Sequence, residues 1–221
     1  MNGLLLSLAL VALGWAGDLR TVEPRYVVAS PGVVLRFTPG GEVIALVPYG
    51  EPVTAMVAED APLTVVEGTP GRWVEVSVGM ERGWAFDAWL LPMPAPPEPC
   101  ASLTAWAARW TPAGPGMVEV GVAGEVRRSQ SYAGGMSIVL EPGGGELWLP
   151  GVGLPQAWAG VRRCASGLAG ATQPGWPPTL EGRGLSLRVD ARRVRVLPAA
   201  GGAPLLTLET VDGGVRARWR E

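Results

Sequence analysis

The chain has no histidine and no lysine, so all eighteen of its basic residues are arginines. Without imidazole there is no Ser-His or Cys-His nucleophile, no HExxH zinc site and no general base of the usual kind. Without a lysine amine there is no Schiff base, no Ser-Lys dyad and no P-loop. Carboxylate chemistry is what remains open to an enzyme. A glycoside hydrolase needs two acids about 5 to 9.5 Å apart in a cleft. The downstream half offers Glu119, Glu125, Glu141 and Glu146, with no motif linking any pair. The glycine clusters at 134–135, 143–145 and 213–214 lack the strand–GxGxxG–helix setting of a dinucleotide site and read as turns. No cofactor, no metal and no enzymatic activity is expected.

What is present is apolar residue and turn residue. Of 221 residues 48% are hydrophobic and 17% charged, with 32 glycines and 22 prolines falling between apolar runs, the layout of a β-rich protein. Leu4 to Leu13 is a ten-residue run without charge, followed by small residues at Gly14, Ala16 and Gly17. As a helix it spans roughly 15 Å, half a bilayer core, which predicts a cleaved export signal over residues 1–17 and no permanent membrane span. Cleavage is expected near Ala16/Gly17. The n-region carries no arginine, a departure from the usual signal. In an oxidising compartment Cys100 and Cys164, the only two cysteines, are expected to form one disulfide. The alternative is two buried thiols that never meet.

The stretch LPMPAPPEPC at 91–100 holds five prolines, which predicts an extended connector dividing the chain into domains at 24–92 and 101–221, with a linker at 93–100. Net charge is −6 over residues 1–98 and +4 over 99–221, so the halves either attract each other or serve different partners. Upstream, runs rich in β-branched and aromatic residues begin at Tyr26, Val33, Glu42, Pro52, Leu63, Arg72 and Gly83. SPG, TPGG, PYGE and TPGR punctuate them. This fits a small, bent β-barrel.

The motifs YVVAS, VVLRFTPGGEVIALVPYGEPV, GRWVEVSV and RGWAFDAWL follow one another in order across residues 26–90. This region resembles a bacterial SH3 (SH3b) domain, nearly a third of the chain, with VAEDAPLTVVEGTP (57–70) as an insert that forms an extended loop or an added hairpin. The resemblance implies an SH3-like barrel that binds a cell-wall peptide or a partner protein. Gly83-Trp84 is expected to turn a strand and place a ring inside the barrel, with Leu90 closing its end. Tyr49, Trp73, Phe86 and Trp89 are the candidate ligand groove, with Glu51, Asp87 and Arg36 near it; core and rim packing is the competing reading of these rings.

Downstream, ASLTAWAARW (101–110) predicts a short helix. A second is expected from Leu154-Pro155 to about Ser166, with Pro155 in its first turn. Strand-like runs at 117–123, 136–140 and 146–149 are followed by four more between Leu185 and Trp219. AAGG and DGG turns among the last three indicate an antiparallel meander. The second domain is therefore read as α+β, an antiparallel sheet packed with two short helices, a module that resembles the companion domain of uncharacterised exported SH3b proteins. Period-2 alternation puts Arg188, Arg193, Arg195, Arg216, Arg218 and Arg220 on one sheet face. Such a face suits phosphate or carboxylate, or docking against the acidic barrel, or plain solvation. The sequence as a whole points to an exported, periplasmic or extracellular, monomeric binding protein of the bacterial cell envelope. Its partner is expected to be peptidoglycan peptide, glycan or an envelope protein, not nucleic acid. A hydrolase hidden in the second domain, or an inhibitor or assembly factor, is the alternative.

Overall fold

The computed structural model describes residues 20–58, 60–165, 168, 176–180 and 184–220. The expected export segment, with its cleavage point near Ala16/Gly17, lies outside these residues, as does Ser166 at the expected end of the second helix.

Alternating apolar residues set the first sheet. Its strands are β1 (Arg20–Val27), β2 (Gly32–Arg36), β3 (Val43–Pro48), β4 (Pro52–Ala58), β7 (Trp73–Val78), β8 (Glu81–Phe86) and the two-residue β9 (Leu90–Leu91). They join antiparallel in the order β3-β2-β8-β7-β4-β1-β9 and curl around one core. Val33 and Leu35, Val53 and Ala55, Val74 and Val76, and Ala85 point inward, and Leu90 completes the core as its position implied. The expected insertion of Trp84 does not occur. Gly83 and Ala85 are the buried neighbours, so the pleat turns Trp84 outward, opposite Glu75 and Arg36. Gly83 stands where β2 comes close: a Cβ there would lie 2.6 Å from the Arg36 carbonyl oxygen. The insert at 57–70 contributes a hairpin, β5 (Thr64–Val66) and β6 (Thr69–Gly71), turning on Glu67 (φ 49°) and Gly68 (φ 77°).

The second sheet is built from two antiparallel meanders. One runs β10 (Met117–Val120), β11 (Val126–Ser131), β12 (Ser137–Glu141) and β13 (Gly144–Pro150). The other runs β14 (Leu185–Asp190), β15 (Arg193–Pro198), β16 (Leu206–Val211) and β17 (Gly214–Arg220). Pairing of β13 with β17 joins them into eight strands. Two helices cover one face: α1 (Leu103–Ala107), started by the Ser102 hydroxyl accepting the Ala105 N–H, and α2 (Leu154–Cys164), with Pro155 in its first turn. Among the described residues no helix is long and apolar enough to cross a membrane.

The proline-rich stretch is a packed strap. Leu91, Met93 and Ala95 are buried in the same core as α1, α2 and the inner face of the second sheet. Trp106, fully buried, donates its indole N–H to the Pro94 carbonyl (2.7 Å), and the Tyr49 hydroxyl donates to the Pro96 carbonyl (2.7 Å). Burying one such indole removes about 150–250 Å² from water, on the order of 4–6 kcal/mol before entropy is subtracted. Extended prolines expose carbonyls that cannot pair with each other, and here two side chains satisfy them. Cys100 at the end of the strap is bonded to Cys164 at the end of α2, with their Cα atoms 4.9 Å apart.

Helix α2 is the middle layer. It touches β16 and β17 on one side and, on the other, β9 and the 3-10 turn Asp87–Trp89 of the barrel. Gln156, 8% exposed, donates its amide to the carbonyls of Asp87 (2.8 Å) and Leu90 (3.2 Å) and accepts the Gly153 N–H (2.7 Å). Gly160 marks a close approach of α2 to its neighbours: a Cβ there would lie 2.8 Å from the Trp106 ring and 3.0 Å from Leu91.

Candidate functional site

Three of the four expected groove aromatics meet. Trp73 opens β7, Phe86 ends β8 opposite it, and their ring centroids lie 5.4 Å apart at 60°, an edge-to-face pair. Trp89, from the 3-10 turn that follows, shares the same groove of about 410 Å³. Phe86 is buried and forms the floor; Trp73 and Trp89 are half-buried and give it exposed ring surface. Arg36, Glu67 and Arg162 rim it. Arg36 is held by the Gly41 carbonyl (2.6 Å). Burial, and then the neighbouring Arg163, pull the Arg162 guanidinium below its usual pKa. The arrangement offers flat apolar area bordered by cations and one carboxylate, suited to an extended chain carrying carboxyl groups.

Tyr49 is elsewhere. It sits at the seam between the halves, with the Arg163 guanidinium 4.4 Å above its ring and burial pushing its hydroxyl up to about 12. Arg163 also pairs with Glu98, which ties the strap to α2. Of the polar residues expected near the groove, Arg36 is at it, Glu51 is exposed in the turn before β4, and Asp87 faces a different cavity.

No protein-family model, curated protein or solved structure matches the chain. Its chemistry is therefore read from its own surfaces.

The six arginines of the second sheet share one face, as the alternation implied. Arg188 pairs with Arg195, Arg195 with Thr207, Thr207 with Arg218 and Arg218 with Glu146 across successive strands. The next row runs Asp190, Arg193, Glu209, Arg216 and Trp148, and Arg220 lies opposite Gly144. The sequence reading overlooked the acids interleaved with them. Arg193 pairs with Glu209, while Glu146 takes Arg216 (3.2 Å) and Arg218 (2.7 Å). Arg188, Arg195 and Arg220 have no carboxylate partner among the described residues. The face is opposite to the one α2 covers, so it does not dock on the barrel. Of the acids weighed for hydrolysis, Glu141 and Glu146 line a groove of about 730 Å³ on this face. Glu141 is 3.4 Å from Arg127, and Glu146 holds two arginines. Glu119 is exposed on β10 and Glu125 in the turn after it.

Proposed function

We propose that this is an exported, non-enzymatic binding protein of the bacterial SH3 type, whose barrel groove holds an extended cell-wall peptide. The observation that carries the reading is the convergence of Trp73, Phe86 and Trp89 in one groove rimmed by Arg36 and Arg162. Rigid rings give contact area at little entropic cost, and the guanidiniums suit the carboxylates of a wall peptide. The Cys100–Cys164 bond fits an oxidising destination, and the small curled barrel with its terminal 3-10 turn fits the resemblance of residues 26–91.

The test is retention of the mature chain on purified peptidoglycan sacculi at low and at moderate salt. Retention at both, weakened by Trp73→Ala or Trp89→Ala, is the expected result. No retention at either salt overturns the proposal and turns the search to an envelope protein. A second reading rests on the three arginines without carboxylate partners. If retention disappears with salt and in an Arg188→Ala/Arg195→Ala variant while both groove variants bind normally, the contact is electrostatic and belongs to the second sheet.

A further inference from the structure

We infer that the cleft between the barrel and α2 is a second binding site, for a small organic carboxylate with an aliphatic body. The cleft encloses about 580 Å³ at the junction of the two halves, a size and location typical of small-molecule sites. It lies apart from the aromatic groove and is independent of any role for it.

Two guanidiniums from distant parts of the sequence, Arg25 and Arg72, line this cleft. Arg25, with a side chain 12% exposed, gives one terminal nitrogen to Glu23 (2.6 Å), while its Nε is buried without a partner. Arg72 donates its backbone N–H to Asp87 Oδ1 (2.6 Å) and its Nε to the Ala61 carbonyl (2.9 Å). Its guanidinium has no carboxylate at ion-pair distance among the described residues. An acceptor entering the cleft meets the terminal nitrogens of Arg72, which donate no hydrogen bond among the described residues. Burial raises the Asp87 carboxyl above its usual pKa, and the neighbouring Arg72 and Arg25 act against that rise. A carboxylate matches the planar fork of Arg72.

The other wall is aliphatic. Val57 and Pro70 line it with partly exposed surface, Ala55 and Val74 belong to the barrel core beneath, and Leu63 stands at its edge 68% exposed, a large apolar side chain the fold leaves uncovered. A ligand body lying against Leu63 would cover it. Charge on one wall and hydrocarbon on the other select an amphipathic monoacid over a sugar or a polyanion.

The experiment is isothermal titration of the mature protein with N-acetyl-leucine, N-acetyl-leucinamide and N-acetylglycine at millimolar concentrations. Saturable heat from N-acetyl-leucine is expected, with the amide about tenfold weaker or more, because the fork loses its charged acceptor. Arg72→Gln should erase the difference between acid and amide. Leu63→Ser, at an exposed position that folding tolerates, should weaken N-acetyl-leucine toward the affinity of N-acetylglycine. Trp73→Ala should leave all three unchanged, which separates this site from the groove. No saturable heat, equal affinity for acid and amide, or indifference to both Arg72→Gln and Leu63→Ser overturns the inference.

Discussion

Removing the disulfide tests how the strap and α2 are held. Cys100 and Cys164 are 64 residues apart, and between them lie α1, the first meander and most of α2. In the chain-entropy account, opening a loop of that length costs about 4 kcal/mol of stability, because the unfolded chain regains the freedom the bond denied it. For a protein of this size that is roughly 8–16 °C in Tm. The variant is Cys100→Ala/Cys164→Ala, since Cys164 is 3% exposed and a serine would bury a hydroxyl. The assay is urea unfolding followed by far-UV circular dichroism, oxidised wild type against variant. The midpoint should fall and the slope of free energy against urea should rise, because an uncrosslinked unfolded chain exposes more surface. A loss under about 1 kcal/mol, or a full loss with an unchanged slope, would refute the reasoning. The latter outcome would place the bond's contribution in the folded state.

Three further perturbations address the middle layer. Gly160→Ala should destabilise by about 1–3 kcal/mol despite a helix-propensity gain near 1 kcal/mol, because the facing Trp106 ring is fully buried and tied to Pro94; a more stable variant in urea unfolding would show that the ring yields. Gln156→Leu leaves the Asp87 and Leu90 carbonyls without their amide donor and should cost about 1–3 kcal/mol, read in the same assay; a neutral result would mean that water replaces the amide. Burial raises the Tyr49 hydroxyl to about 12, so the folded state favours the neutral phenol. The stability it contributes is intact below about pH 10 and is lost as pH rises from about 10 through 12. Alkaline urea midpoints should therefore fall in wild type and flatten in Tyr49→Phe; equal slopes would exclude Tyr49 as the cause.

Strands β4 and β14 run over the residues their sequences imply, because β14 alternates apolar and polar side chains and β4 is a short apolar run after the PYGE turn. The start of β1 escaped notice because Pro24 argues against a strand. It is tolerated because β9 covers only Tyr26 and Val27 on that side. Strand β11 (VRRSQS) has no apolar alternation to read, since both its faces are largely exposed. The helix expected over 101–110 shortens to Leu103–Ala107 and finishes in a turn at Trp110, in a chain about to meet Thr111-Pro112. Trp84 was misplaced by the family pattern, while the pleat of Gly83 and Ala85 already pointed it outward. The aromatic groove was mostly legible, because Phe86 and Trp89 are neighbours in sequence and Trp73 starts the adjoining strand. The cleft was not. Arg25, Arg72, Asp87 and Gln156 come from β1, the approach to β7, the 3-10 turn and α2, and only tertiary packing brings them together.

The strap behaves as a ruler. Its two carbonyls are read by an indole and a phenol, and its end is fixed covalently, so its length in residues is part of the fold. One residue added or removed between Leu91 and Cys100 would put at least one of these attachments, the two carbonyls or the disulfide, out of register with its partner. In evolutionary terms the barrel is not an interchangeable bead on this chain. A transplant would have to carry the strap, α1 and α2 with it, and recombination at the proline-rich stretch, which looks in sequence like a natural crossover point, would yield chimaeras that do not fold.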